Sequence, residues 1–187
     1  GVVVRSEPVR CYPHGRLASH VLGHVGEISE AELKLAKDDQ RFTSGMVIGK
    51  TGVEKQYDSY LLGRQGHEKL EVDARGHVKQ KLGGRSGTPG ASLVLTLDCG
   101  LQAVAERLLE QQAHPGAIVV MDPRNGELLA LASKPDFDPN VFSATLTKKE
   151  WRKLADDPRD PLQDRAVASR YPPGSALKLA VAAAGLQ

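Results

Sequence analysis

The sequence predicts an α+β fold in two parts, antiparallel sheet and short helices on either side of a glycine-rich joint. Three features of the 187-residue chain predict it. Two apolar runs flank Asp122-Pro-Arg-Asn-Gly126, the signature of a tight turn between buried strands. Ser29-x-x-Glu32 and Thr147-x-x-Glu150 are both capping boxes, with Ile28 and Leu33 at the first and Leu146 and Trp151 at the second placed as hydrophobic staples. Between the two halves, Leu82-Gly-Gly-Arg-Ser-Gly-Thr-Pro-Gly-Ala91 carries neither a helical nor a strand period and is the best domain boundary in the chain.

Composition narrows the function classes. Hydrophobic content of 40% and charged content of 26% are ordinary for a soluble folded protein. A net charge of +2 is too small to argue for nucleic acid or an anionic surface. No window reaches the apolar length of a membrane helix, and Gly1-Val-Val-Val-Arg5 is not a signal peptide. Cys11 and Cys99 sit far apart; a disulfide is open to them, but two free thiols are the expected state.

Taken in order, the Val-rich start reads as a strand, and Arg10-Cys-Tyr-Pro-His-Gly15 is a turn-bearing segment, either a surface loop or a piece that docks one extended stretch on another. The first capping box starts a helix over about residues 30–38, ending in the polar Lys37-Asp-Asp-Gln40. Gly49-Lys-Thr51 resembles part of a phosphate-cradling loop, but the glycine that such a loop needs five places earlier is Ser44, and no apolar strand leads in from residues 38–44. These glycines instead start a helix near Val53 that runs past Tyr57 and Tyr60 to Leu62 and stops at Gly63. Residues 66–82 alternate about an Asp73-Ala-Arg-Gly76 turn as a β-hairpin. Beyond the joint, Ser92-Leu-Val-Leu-Thr-Leu97 alternates as a strand, and Asp98 caps a helix whose apolar Leu101, Val104, Ala105, Leu108 and Leu109 follow the helical period. The hairpin of residues 116–133 comes next, so that strand, helix and hairpin suggest an α+β or α/β sheet packed on helices. A proline-punctuated loop, Pro135 to Asn140, precedes the second capped helix, which fades at Asp156-Asp-Pro158; Trp151 reads as a packing residue. Polar residues 156–170 then lead to the last stretch.

That stretch, Tyr171-Pro-Pro-Gly-Ser-Ala-Leu-Lys178 followed by Leu179-Ala-Val-Ala-Ala-Ala, is a turn and then helix formers apolar almost all round, the pattern of a buried helix. Ser175 and Lys178 interrupt it. Three apart, they share one helix face, with the hydroxyl at the positive end of the dipole. A lysine in an apolar wall loses part of its preference for charge, and its neutral form can take a hydroxyl proton. The pair thus suits a serine nucleophile and an amine base. The bland alternative is a capping serine and a snorkelling lysine, and Ser-x-x-Lys alone does not separate the two.

The same residues carry an extensive resemblance. Tyr171-Pro-Pro-Gly-Ser-Ala-Leu-Lys178 resembles the active-site serine motif of penicillin-binding transpeptidases. Asp122-Pro123, Gly126-Glu127 and Phe137-Asp-Pro-Asn140 resemble the first hairpin and following loop of their catalytic domain, and Leu95-Thr-Leu-Asp98 with Leu101-Gln102 its opening strand and helix. Upstream, Arg10-x-Tyr12-Pro13-x-Gly15 and Gly49-x-x-Gly52-x-Glu54, with Asp58, Leu62 and Gly63, are similar to two motifs of the non-catalytic pedestal of class B members. The Tyr-Pro-Pro-Gly lead and the Pro161-Leu-Gln-Asp-Arg-Ala166 approach look like the elongation, rod-shape type rather than the division type. Ala176-Leu177, Cys11 and Cys99 depart from the usual pattern.

The resemblance implies an α+β chain in which residues 1–82 are the pedestal, incomplete at its start, residues 83–91 a linker, and residues 92–187 the beginning of a transpeptidase domain of antiparallel sheet and helices. It implies a serine-type D-Ala-D-Ala transpeptidase that cross-links peptidoglycan stem peptides and is acylated by β-lactams, with Ser175 as nucleophile, Lys178 as general base, and neither metal nor cofactor. It further implies a parent anchored in the cytoplasmic membrane and facing outward, with a wall-synthesis polymerase and scaffold proteins as partners at the pedestal and no nucleic acid. The family's Ser-x-Asn and Lys-Thr-Gly motifs, an arginine-containing pedestal motif and the membrane helix are not in this sequence. The chain is therefore expected to be an internal fragment, inactive alone. The other readings are a docking module of a wall-synthesis complex and a β-lactamase or sensor relative.

Overall fold

The computed structural model describes residues 9–35, 42–64, 66–75, 77–143 and 146–186. The expected strand at Val2 to Val4 and the polar stretch Lys37 to Gln40 lie outside them. Among the described residues the sheets are three antiparallel pairs, flanked by short helices.

In the first half, Arg10 to Ala18 folds into successive turns and runs into helix α1 (Ser19–Leu22) and strand β1 (Val25–Glu27). Strand β2 (Val47–Gly49) pairs with β1, Val25 opposite Gly49, and Ile28 N–H donates to Met46 O to extend the ladder. Neither three-residue strand is long enough to show a period in sequence. Helix α2 (Glu30–Leu35) starts at its capping box: the Glu32 carboxylate accepts from Ser29 N–H at 2.8 Å, and Ser29 Oγ accepts from Glu32 N–H at 3.3 Å. Tyr12, Ala18, Val25, Ile28 and Met46 are buried in this half.

The helix expected from Val53 to Leu62 is two, α3 (Gly52–Gln56) and α4 (Asp58–Leu61), broken at Tyr57. A short strand does precede Gly49-Lys-Thr, but it belongs to the β1–β2 pair, and Lys50 Nζ is held by Glu32 at 2.5 Å. Strands β3 (His67–Val72) and β4 (Val78–Arg85) form the expected hairpin, Asp73 Oδ1 accepting from the backbone of Arg75 and His77 in its turn. The glycine-rich stretch is pinned to this half: Arg64 and Thr88 exchange both backbone bonds, and Ala91 N–H donates to Tyr60 O at 2.7 Å. Gly90 lies so close to α4 that a Cβ there would overlap the Leu61 carbonyl.

In the second half, residues 92–97 do not form the expected strand. The stretch is extended, with Leu93, Leu95 and Leu97 half-buried and Val94 97% exposed, and only its end meets the sheet, where Thr96 Oγ1 donates to Leu128 O and Asp98 N–H to Leu129 O, without a strand ladder among the described residues. The alternation predicts the backbone shape; pairing needs a partner the pattern cannot supply. Helix α5 (Cys99–Glu110) begins at Asp98, whose carboxylate accepts from Leu101 N–H at 2.8 Å. Its buried face is Gln102, Ala105, Glu106 and Leu109, so Ala105 and Leu109 of the expected apolar stripe face the core, whereas Leu101, Val104 and Leu108 are exposed and the helix is rotated part of the way off that stripe. Strands β5 (Gly116–Met121) and β6 (Leu128–Lys134) form the hairpin, Val119 opposite Leu131. Ala130 and Ala132 admit α5 onto its face with Ile118 and Val120 alongside, and burying Leu109 there contributes about 2 kcal/mol.

Helix α6 (Asn140–Ser143) follows the proline loop, and α7 (Lys148–Ala155) has the complete capping box, Thr147 with Glu150. Trp151, expected to be a packing residue, is 46% exposed. Helix α8 (Leu177–Gly185) closes the described chain.

Candidate active site

Tyr171 to Pro173 is irregular, Gly174 takes φ +53°, and Gly174–Ala176 forms a single 3-10 turn in which Ala176 N–H donates to Pro173 O. Glycine is suited to that left-handed conformation. Ser175 is in this turn and Lys178 in the first turn of α8, so the two side chains sit at one helix start. Among the described residues no hydrogen bond joins the Ser175 hydroxyl to the Lys178 amine, and both are exposed.

The expected burial of this helix is not found. Leu177, Leu179 and Val181 are 51%, 78% and 63% exposed, because no described element covers them. The apolar wall around Lys178 that would favour its neutral form is accordingly not formed by the described residues.

The approach to the turn is built around one buried cation that periodicity alone did not single out. Arg165 Nη1 donates to Asp160 O at 2.9 Å and Gln163 O at 3.3 Å, and Nη2 to Arg159 O. Its backbone N–H donates to Ser133 Oγ at 2.9 Å, and that hydroxyl donates to Gln163 O, tying the approach to β6.

The two halves meet through side chains far apart in sequence. Arg10 donates to both oxygens of the buried Glu54, at 2.6 and 2.9 Å, so the two upstream motifs converge, and the docking alternative for residues 10–15 is the one found. Burial, and then the Glu54 carboxylate, push the neighbouring Tyr12 hydroxyl well above its usual range. Asn140 grips the Tyr12 backbone, Arg16 pairs with Asp136, Ala18 N–H donates to buried Glu106, and His20 Nε2–H donates to Pro161 O at 2.9 Å. His24 stacks on Phe142, rings 3.9 Å apart, and Phe137 meets His20, His24 and Phe142 edge-on. Cys11 and Cys99, both free, line a largely apolar cleft of about 520 Å³ between the halves. Among the described residues no group of three or more His, Cys, Asp or Glu could hold a metal, and no helix is long and apolar enough to cross a membrane.

The chain thus has a mixed first half, joined through a polar and aromatic seam to a hairpin-and-helix unit, with a serine and a lysine at the next helix start. Residues 1–95 match the penicillin-binding protein dimerisation domain and residues 116–187 the penicillin-binding protein transpeptidase domain. The chain belongs to the penicillin-binding protein family. Over its whole length it is 44% identical to the peptidoglycan D,D-transpeptidase MrdA of Acinetobacter baumannii and 38% identical to that of Escherichia coli, spanning 27% and 30% of those proteins. Among solved structures it resembles the penicillin-binding protein PBP2 of Helicobacter pylori in complex with MreC, with a TM-score of 0.77, 38% identity, and coverage of 95% of this chain and 32% of that one. PBP2 of Pseudomonas aeruginosa in complex with WCK 5153 gives a TM-score of 0.77 at 37% identity, covering 95% of this chain and 35% of that one.

Proposed function

We propose that this chain is the pedestal and nucleophile-bearing part of an elongation-type peptidoglycan D,D-transpeptidase. The observation that carries this reading is the Ser175–Lys178 pair at a helix start, in a chain alignable end to end with MrdA proteins. Ser175 Oγ attacks the carbonyl of the penultimate D-Ala of a donor stem peptide while its proton passes to neutral Lys178. The Ser175 backbone N–H is one donor to the resulting oxyanion. The amide C–N bond then breaks, the terminal D-Ala leaves as an amine with the proton returned to it, and an ester to Ser175 remains. The amine of a second stem peptide attacks that ester, forming the cross-link and freeing the hydroxyl. A β-lactam carbonyl takes the donor's place and leaves Ser175 acylated.

The decisive experiment is Ser175→Ala in the full-length protein. It abolishes covalent labelling by a fluorescent penicillin; labelling that persists at wild-type level sinks the reading. The 187-residue chain alone is acylated far more slowly than the full-length protein, since helix α8 is uncovered in it.

We infer further that the full-length protein is anchored in the cytoplasmic membrane with this chain on its outer face, where stem peptides are exposed. The pedestal half is the docking surface for a scaffold protein of the kind seen with the Helicobacter relative, and for a wall-synthesis polymerase. Co-purification of a scaffold protein with the Ser175→Ala variant separates docking from catalysis, because docking survives the loss of the hydroxyl.

A further inference from the structure

We propose that Arg165 is a positioning residue for Ser175, a clasp that fixes where the nucleophile's segment leaves the sheet; this rests on the reading of Ser175 as nucleophile. Arg165 is only 8% exposed, and among the described residues no carboxylate pairs with its guanidinium. A buried cation is expensive unless its donors are satisfied, and here backbone carbonyls satisfy them. Arg159 O, Asp160 O and Gln163 O converge on the guanidinium from one loop, with Asp160 held at φ +48° to aim its carbonyl inward. Three carbonyls arriving from different directions need a planar fork with five N–H donors; a lysine ammonium offers three donors from a single point.

Both ends of the clasp are tied. Toward the sheet, Arg165 N–H and Gln163 O share the hydroxyl of Ser133, a buried residue of β6. Toward the nucleophile, Gln163 Nε2 donates to Ser169 Oγ at 2.9 Å, and Asp164 accepts from the backbone of Ala166 and Ala168, all within the stretch that precedes Ser175. Past that point, among the described residues, no hydrogen bond connects Tyr171 to Leu186 with the rest of the chain. The clasp is therefore the nearest rigid attachment upstream of Ser175. Displacing a reacting group by about 1 Å costs on the order of 100-fold in rate, so an attachment of this kind is felt in the chemical step.

The test measures acylation of the full-length protein by a fluorescent penicillin, separating the rate constant of ester formation, the half-saturating concentration and the labelled fraction. Arg165→Lys keeps the charge and loses the fork; ester formation slows about 10- to 100-fold while half-saturation stays within about 2-fold and labelling still reaches completion. Ser133→Ala is nearly isosteric and removes the hydroxyl that accepts from Arg165 N–H and donates to Gln163 O, leaving the guanidinium's own bonds in place; it slows ester formation by about 3- to 10-fold. Lys148→Ala, on the exposed start of α7, changes nothing. A merely structural role lowers the labelled fraction and leaves the rate of the surviving molecules at wild-type level; that result overturns the proposal, as does an unchanged rate in Ser133→Ala should Arg165→Lys fail to fold. Wild-type labelling in Ser175→Ala overturns the nucleophile assignment itself, a failure distinct from either.

Discussion

Asn140 holds Tyr12 by both of its backbone groups: Oδ1 accepts from the Tyr12 N–H and Nδ2 donates to the Tyr12 carbonyl, each at 2.9 Å. One side chain thus completes, for a turn in the pedestal half, the pair of bonds that a neighbouring strand would provide. Asp138 steadies the amide by accepting from Asn140 N–H and Nδ2. Asn140→Ala removes both bonds and is expected to destabilise the protein by about 2 kcal/mol, read from chemical denaturation.

The Arg10–Glu54 pair is the second tie to test. Glu54→Gln keeps the shape but turns a two-oxygen acceptor into one acceptor and one donor facing a guanidinium. Because Arg10 is partly open to water, the expected loss is about 1–2 kcal/mol, below that of a fully buried pair. Restoring a carboxylate as Asp, one methylene shorter, recovers only part of it.

Acid is expected to loosen the seam between the halves. Burial depresses His20, against the opposing pull of Pro161 O, Asp164 and Asp136; burial and then Lys50 depress His24. A folded-state value below the ordinary 6.5 means the unfolded chain binds protons more readily, so the contribution is present in full above about pH 6.5 and lost as pH falls through the depressed values. Glu32 is held down to about 2, first by Lys50 and then by Ser29, and its contribution disappears separately as pH falls from its ordinary 4.5 toward that value. Melting temperature against pH in His24→Phe, which preserves a ring against Phe142, falls less steeply between about pH 7 and 5 than in the wild type.

Two glycine substitutions have opposite expected signs. Gly90→Ala pushes a methyl into the Leu61 carbonyl and separates the joint from α4, costing about 2 kcal/mol or more. At Gly185, in the last turn of α8, nothing lies near a new Cβ, and Ala there stabilises by about 0.5 kcal/mol through helix propensity. Thermal denaturation of the two variants distinguishes them.

What was legible in the sequence was what neighbours in sequence decide. Thr147 and Glu150 satisfy each other across one turn, and Asn125-Gly126 closes its own hairpin, so both could be read without knowing the rest. The Ser175–Lys178 spacing was legible for the same reason, and family resemblance gave it a meaning the spacing lacked. Residues 92–97 show where this ends, since a strand is a pairing and its partner is not local. Helix α5 turned away from Leu101, Val104 and Leu108 because Gln102 and Glu106 found distant backbone partners, Leu131 for one and Ala18 for the other. Buried arginine is likewise invisible to a hydrophobic period: only the crowd of carbonyls around Arg165 gives it a role.

Gln102, 1% exposed, accepts from Leu131 N–H at 2.8 Å and donates to Leu131 O at 3.0 Å. That pair makes the Leu131 amide a sentinel. Its proton can exchange with solvent only when α5 lifts off the hairpin, so its protection in hydrogen exchange reports the opening free energy of helix from sheet at a single site. Gln102→Glu places an oxygen against the Leu131 carbonyl, and the same amide then exchanges about 10-fold faster or more, while amides in the Thr147-capped helix keep their rates.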